Sequence, residues 1–261
     1  MFRIDGKIAV ITGGSRGLGL DMAEGFLKAG AAKVYISSRK AKACDEAVKY
    51  LTKFAKDNNL SGIAVSVPAD VGVRQGIESL YEQVAKHESK IDILVANAGA
   101  SWGEKFDTHP DSAFQKLMDL NVKGVFGTIQ IFTPLLEKAG TQADPSRVLI
   151  TGSVAAIQTH TTGGTYGYQA SKAAVLHLGR ILAGELGPRN ITVNILAPGF
   201  FPTKMSNGLL ETIGDHMVST NPLGRLGEPK DIMGVSTFLV SPAASYVNGV
   251  MIEIDGGASK L

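Results

Sequence analysis

Seven short apolar runs punctuate the chain: KIAVIT, KVYISS, GIAVSV, IDILVA, RVLIT, ITVNILA and GVMIEI. They lack strict alternation of apolar and polar positions, the pattern of strands covered on both faces. Segments with helical spacing, such as LDMAEGFLKAG and VRQGIESLYEQVAKH, lie between them. Strand alternating with helix predicts an α/β fold, a doubly wound parallel sheet of about seven strands with helices on both faces. No repeat or low-complexity tract divides the 261 residues, so residues 1–261 read as a single domain.

Composition narrows the function classes. Hydrophobic residues make up 44% and charged residues 19%, enough for a large core and too few charges for disorder. The formal net charge of +2 gives no argument for nucleic acid or an anionic membrane surface. A lone cysteine, Cys44, excludes a disulfide framework and reads as a small helix residue. No apolar run reaches the ~18 residues of a membrane-spanning helix. The opening MFRIDGKIAV lacks the basic region and extended apolar core of a secretory signal.

The stretch KIAVITGGSRGLGLDMAEGF reads as strand, glycine-rich turn and helix. Gly13, Gly17 and Gly19, with Ser15, Arg16 and Leu18 among them, let backbone approach a pyrophosphate at a helix N-terminus. The spacing is GxxxGxG. The second strand ends in Ser37-Ser38-Arg39-Lys40, where an NAD site carries an acidic residue for the ribose 2′-hydroxyl. Arg39 and Arg16 suit a 2′-phosphate instead, which points to NADP(H).

Tyr168 and Lys172 stand four apart, one face of a helix. A free phenol has a pKa of about 10, and a neighbouring ammonium is expected to lower it toward neutrality. Ser153 follows the strand RVLIT, placed to bond a substrate carbonyl. The stretch from Pro198 to Gly227 holds Phe200, Phe201, Met205, Leu209 and Leu210. It reads either as surface helices packing these inward or, preferred here, as a loop forming a substrate lid over 198–227. His109, His160 and His216 have no partners at metal-ligand spacing, so no metal is expected. Trp102 either lines the pocket mouth or packs beside it.

The order TGGSRGLG, Asp70, ANAG, Asn121, Ser153, Tyr168-x-x-x-Lys172, PGFFPT resembles the short-chain dehydrogenase/reductase family across essentially the whole chain. The resemblance implies a Rossmann-like catalytic domain with Asn121, Ser153, Tyr168 and Lys172 as its tetrad. By that likeness Asn121 helps hold Lys172 through a water relay, and Tyr168 and Lys172 also reach the cofactor. Ser38 joins Arg39 near the ribose, Asp70 and Val71 lie near adenine, and Asn97, Ala98 and Gly99 lie along the cofactor. Pro198, Gly199 and Thr203 frame the nicotinamide. Two departures stand out: ANAG replaces the family's usual NNAG, and the Ser153-to-Tyr168 interval is longer than usual. Tyr166 is nearer the usual interval, but Ala170 and not lysine follows it, so Tyr166 reads as a pocket or packing residue.

Within that family the chain looks most like NADPH-dependent 3-oxoacyl reductases, including the branch associated with rhamnolipid synthesis. The implied partner is a small-molecule carbonyl substrate, with a sugar or polyol dehydrogenase and a non-catalytic dinucleotide-binding protein as the alternatives. The resemblance also implies a homo-oligomer, a tetramer or dimer. The ending Ser259-Lys260-Leu261 matches the peroxisomal import signal, which implies an import receptor and a peroxisome in a eukaryote, and a cytoplasmic enzyme otherwise. Gly256, Gly257 and Ala258 are expected to hold that tripeptide clear of the folded body.

Overall fold

Each apolar run becomes a strand. In a computed structural model that describes residues 1–161 and 163–260, and all side chains there except those of 207, 209 and 210, seven strands form one sheet. They are β1 (Ile8–Thr12), β2 (Lys33–Ser37), β3 (Ile63–Ser66), β4 (Ile93–Ala96), β5 (Ser146–Thr151), β6 (Ile191–Pro198) and β7 (Met251–Ile254). All pairs are parallel, in the order β3-β2-β1-β4-β5-β6-β7.

The intervening helices are α1 (Gly17–Ala29), α2 (Ala41–Asp57), α3 (Arg74–Ala85), α4 (Asp111–Met118), α5 (Val125–Glu137), α6 (Tyr166–Leu186), α7 (Asn207–Thr220) and α8 (Pro229–Val240). Side chains of α1, α2 and α8 cover one face of the sheet, those of α3, α5 and α6 the other. Successive strand residues serve opposite layers: Ala9 and Ile11 pack with the first set, Val10 with the second. All three are fully buried, which is why the sequence shows no polar alternation there.

The strand order reverses between β1 and β4, opening a crevice above their carboxyl ends. Two expectations need correction. The 198–227 stretch is not a loop throughout: α7 occupies its middle, with a break at Ile213 (φ −132°, ψ 15°). Phe201 belongs to the core and packs against Gly227, while Met205 stays exposed. Leu209 and Leu210 have side chains outside the described set.

The tail is the second correction. Residues Ala258–Lys260 turn back onto the sheet edge as a short 3-10 segment. The Ser259 amide donates to Asp255 (2.8 Å), its hydroxyl to Glu253 (3.0 Å), and Lys260 pairs with Glu253 at 2.5 Å. Ser259 and Lys260 are therefore tied down and not held clear; Leu261 lies outside the described residues.

Candidate active site

A cavity of about 780 Å³ lies over the crevice. It is bordered by the glycine turn after β1, the ends of β2, β4, β5 and β6, the start of α6 and the turn before α7. Gly13 and Gly17 have φ of 66° and 53°, a conformation that L side chains rarely adopt. Gly19 is needed for a different reason. A Cβ there would stand 2.5 Å from the Gly13 carbonyl and 2.6 Å from Asn97 Nδ2. The turn is thus folded tightly against the end of β4, leaving its backbone facing the cavity.

The strand ends are laced together by side chains. Asn97 Nδ2 donates to the carbonyls of Thr12 (3.0 Å) and Gly13 (3.2 Å), and Asn97 Oδ1 accepts from Thr151 Oγ1 (3.0 Å). Thr12 Oγ1 accepts from the amides of Asn97 and Ala98. Asn97 borders the cavity, yet its amide group is committed to backbone. Thr12 and Thr151 escape sequence reasoning because a β-branched residue ending an apolar run looks like ordinary strand.

The cavity wall carries Arg16 on the glycine turn and Arg39 and Lys40 just past β2. None forms an ion pair among the described residues. Ser37 Oγ is buried in the same wall without a hydrogen-bond partner. Asp70 also borders it, its Oδ1 accepting from the Gly72 amide at 3.0 Å. Three unpaired cations, an open hydroxyl and a glycine cradle suit a dinucleotide with an anionic adenosine end. Ser15, Leu18, Ser38, Val71, Ala98, Gly99, Pro198, Gly199 and Thr203 border the cavity too.

Tyr168 and Lys172 lie on α6, one turn apart. Lys172 is buried and its Nζ donates to the Thr151 carbonyl at 2.6 Å. Desolvation pushes its pKa down to about 8. Burial pushes the Tyr168 phenol above its ordinary value, and a hydrogen bond with Ser153 opposes the rise. Lys172 Nζ stands 5.7 Å from the Tyr168 ring centroid, and the net direction, set by burial, is upward. Near neutrality Tyr168 is a protonated phenol, in the state that donates a proton.

Asn121 is 1% exposed and sits in a π-helical turn, Asp119–Gly124. Its Oδ1 accepts from the Ala100 amide and its Nδ2 donates to the Ala100 carbonyl and Ser171 Oγ, all at 2.9 Å. Asn121 therefore joins the loop after β4 to α6 and does not border the cavity. A Cβ on Gly99 would lie 3.2 Å from Asn121 Oδ1 and 3.7 Å from Lys172 Nζ, so glycine leaves the space between them open. The π-helical turn had no sequence signal.

Opposite the glycine turn, the loop after β4 meets the long Ser153–Tyr168 connection. The Glu104 amide donates to the Gly164 carbonyl at 3.3 Å, and a Cβ at Gly103 or Gly164 would collide with the facing backbone. Gln169 Nε2 holds the same connection through the His160 carbonyl at 2.7 Å. Tyr166 packs edge-on against Phe106 and His109 and does not border the cavity, and neither does Trp102. Cys44 is buried against Ser38. Among the described residues no group of three His, Cys, Asp or Glu is arranged to hold a metal ion, and no helix is long and apolar enough to cross a membrane.

Comparison with known proteins agrees with this geometry. A family model described as Enoyl-(Acyl carrier protein) reductase matches residues 13–259. The chain belongs to the short-chain dehydrogenase/reductase family. A relative within it, the "Rhamnolipids biosynthesis 3-oxoacyl-[acyl-carrier-protein] reductase" of Pseudomonas aeruginosa, is 38% identical over 98% of this chain and 97% of its own length. The Pseudomonas aeruginosa RhlG/NADP active-site complex superposes with a TM-score of 0.92 at 37% identity, covering 99% of this chain and 98% of that one. A 7α-hydroxysteroid dehydrogenase complexed with NADH and 7-oxo glycochenodeoxycholic acid gives 0.88 at 35% identity, covering 98% and 95%. The family is one of nicotinamide-dinucleotide oxidoreductases acting on small molecules, so this chain is an oxidoreductase of that kind.

Proposed function

We propose that the chain is an NADP(H)-dependent carbonyl reductase that converts a ketone, a 3-oxoacyl thioester or a related carbonyl, to a secondary alcohol. The observation that carries the reading is the meeting of Ser153 and Tyr168 on the cavity wall, with Lys172 behind them. The glycine turn, Arg16 and Arg39 would hold the dinucleotide, with Ser38, Asp70 and Val71 beside its adenosine and Pro198, Gly199 and Thr203 beside its nicotinamide. When bound, the reduced nicotinamide supplies the hydride.

The chain's own residues supply the rest. Ser153 donates a hydrogen bond to the substrate carbonyl oxygen. Tyr168, kept protonated by burial, gives that oxygen its proton. Lys172, with a pKa near 8, keeps a large protonated fraction near neutrality and favours the phenolate left behind. Asn121 is a positioning residue that fixes α6 against the loop after β4. Unpaired Arg16 and Arg39 support NADP(H) over NAD(H). Apolar Val154, Phe200 and Met205 on the wall, and the likeness to a 3-oxoacyl reductase, support an acyl chain.

Initial rates of the purified protein on a ketone and polyol panel, with NADPH and NADH, test this. Reduction of 3-oxoacyl thioesters with NADPH is the expected result. Polyol oxidation with NAD and no thioester turnover would replace the reading with a sugar or polyol dehydrogenase. Dinucleotide binding without turnover of any substrate would make it a non-catalytic binding protein. A substrate lid at 198–227, with α7 in its middle, belongs to the same proposal. A tetramer or dimer is supported by exposed Phe126 and Ile181 on α5 and α6 and by Tyr246 and Val250 beside β7, and light scattering tests it.

A further inference from the structure

The cavity wall separates its charges by place. Arg16 lies on the glycine turn, Arg39 and Lys40 just past β2, and Lys172 is buried on Thr151. One other cation borders the cavity, Lys204. It is exposed and makes no ion pair among the described residues. The only carboxylate on the wall among those residues, Asp70, is already bonded to the Gly72 amide.

Lys204 is presented by a built turn. The Ser206 amide donates to the Thr203 carbonyl at 3.0 Å, closing a β-turn with Lys204 and Met205 at its two central positions. Ser206 Oγ clamps the turn from within, accepting from the Thr203 amide (3.0 Å) and donating to the Phe201 carbonyl (2.5 Å). Phe201 is anchored in the core, and Thr203 rests against Gly17 of the glycine turn. The two central residues are thereby fixed at the rim, a cation beside an apolar side chain that is 57% exposed. Gly103 and Gly163 also border the cavity, their loops joined by the Glu104–Gly164 backbone bond. Lys204 and Met205 thus both border the cavity and face solvent, where a substrate longer than the cavity can pass them.

Resting on the 3-oxoacyl reading above, we infer that Lys204 binds the phosphate of a pantetheine arm, with Met205 and Phe200 as the apolar track beneath it. The group recognised is the phosphate shared by coenzyme A and carrier-protein thioesters. Lys204 is a specificity residue, and it takes no part in proton transfer.

The test compares one 3-oxoacyl group on four carriers: pantetheine, 4′-phosphopantetheine, coenzyme A and an acyl carrier protein. The wild-type protein prefers the phosphorylated carriers in kcat/KM. Lys204→Ala shrinks that preference by about three- to fivefold through KM, the size of one solvent-exposed charge pair, and raised salt shrinks it too. Lys204→Arg retains it and Lys204→Glu reverses it. An unchanged ratio in Lys204→Ala overturns the inference while leaving the 3-oxoacyl activity in place. A raised Kd for NADPH with an unchanged ratio does the same and assigns Lys204 to the dinucleotide. A change confined to the carrier-protein thioester overturns it in favour of a carboxylate on that protein. No turnover of any thioester by the wild type removes the underlying reading, and this inference with it.

Discussion

The two halves of the cavity are built by different means. On the proposed dinucleotide side, side chains lock three strand ends together: Thr12, Asn97 and Thr151 exchange hydrogen bonds across β1, β4 and β5. Gly19 is packed so closely that no Cβ fits. On the substrate side the contacts are between loops and turns, through the Glu104–Gly164 backbone bond and the Ser206 clamp. Gly208, at the start of α7, has open space where a Cβ would go. A cofactor common to a family calls for a fixed cradle, whereas a substrate that differs among members calls for parts that change without disturbing the sheet. The proposed catalytic residues sit on the boundary, attached to the rigid side through Lys172 and Thr151.

That contrast breaks most sharply at Lys172. Lys172→Met is expected to cut turnover by about a hundredfold or more, the loss of a group that assists proton transfer. Stability shifts the other way with pH. Burial lowers the folded-state pKa from 10.5 to about 8, so the unfolded chain binds more protons between those values. Stability contributed by the neutral amine is full above about 10.5 and is lost as pH falls toward 8. Denaturant titrations of wild type and Lys172→Met should therefore differ by ~3 kcal/mol more at pH 7 than at pH 11, in favour of the variant at pH 7. A pH-independent difference would mean that Lys172 is not desolvated.

Next in size is Gly19→Ala. Its Cβ would meet the Gly13 carbonyl and Asn97 together, and the expected loss is about 1–3 kcal/mol in denaturant stability, with weaker dinucleotide binding. Gly208→Ala, on the open side, serves as the contrast and should stay within about 0.5 kcal/mol. Equal losses would erase the distinction between the two halves. A smaller effect is expected at Arg39→Ala, about a tenfold fall in preference for NADPH over NADH from one charge-assisted contact. Unchanged preference in steady-state kinetics would move that role elsewhere.

How far the sequence carried the reading follows the same division. All seven strands were legible because each is a short, largely apolar run, and the glycine turn because glycines there separate a strand from a helix. Tyr168 and Lys172 were legible through helical spacing. Long-range closure was not. Nothing local in ANAGASWGE or THTTGGT says that Glu104 and Gly164 will pair. The Gly/Pro-rich PGFFPTKMSNG read as loop, yet α7 begins at Asn207, directly after the Ser206 clamp, and Phe201 is drawn into the core. For the phenol, sequence shows the ammonium neighbour but not the burial that pushes its pKa up.

The central claim is that Tyr168 donates the proton. Tyr168→Phe keeps the ring and its packing while deleting only the hydroxyl, so turnover of a 3-oxoacyl thioester and fluorescence titration with NADPH, measured on one preparation, separate chemistry from binding. The account predicts a fall in kcat of about 10²–10⁴ with the NADPH Kd within twofold of wild type. Undiminished turnover would contradict it.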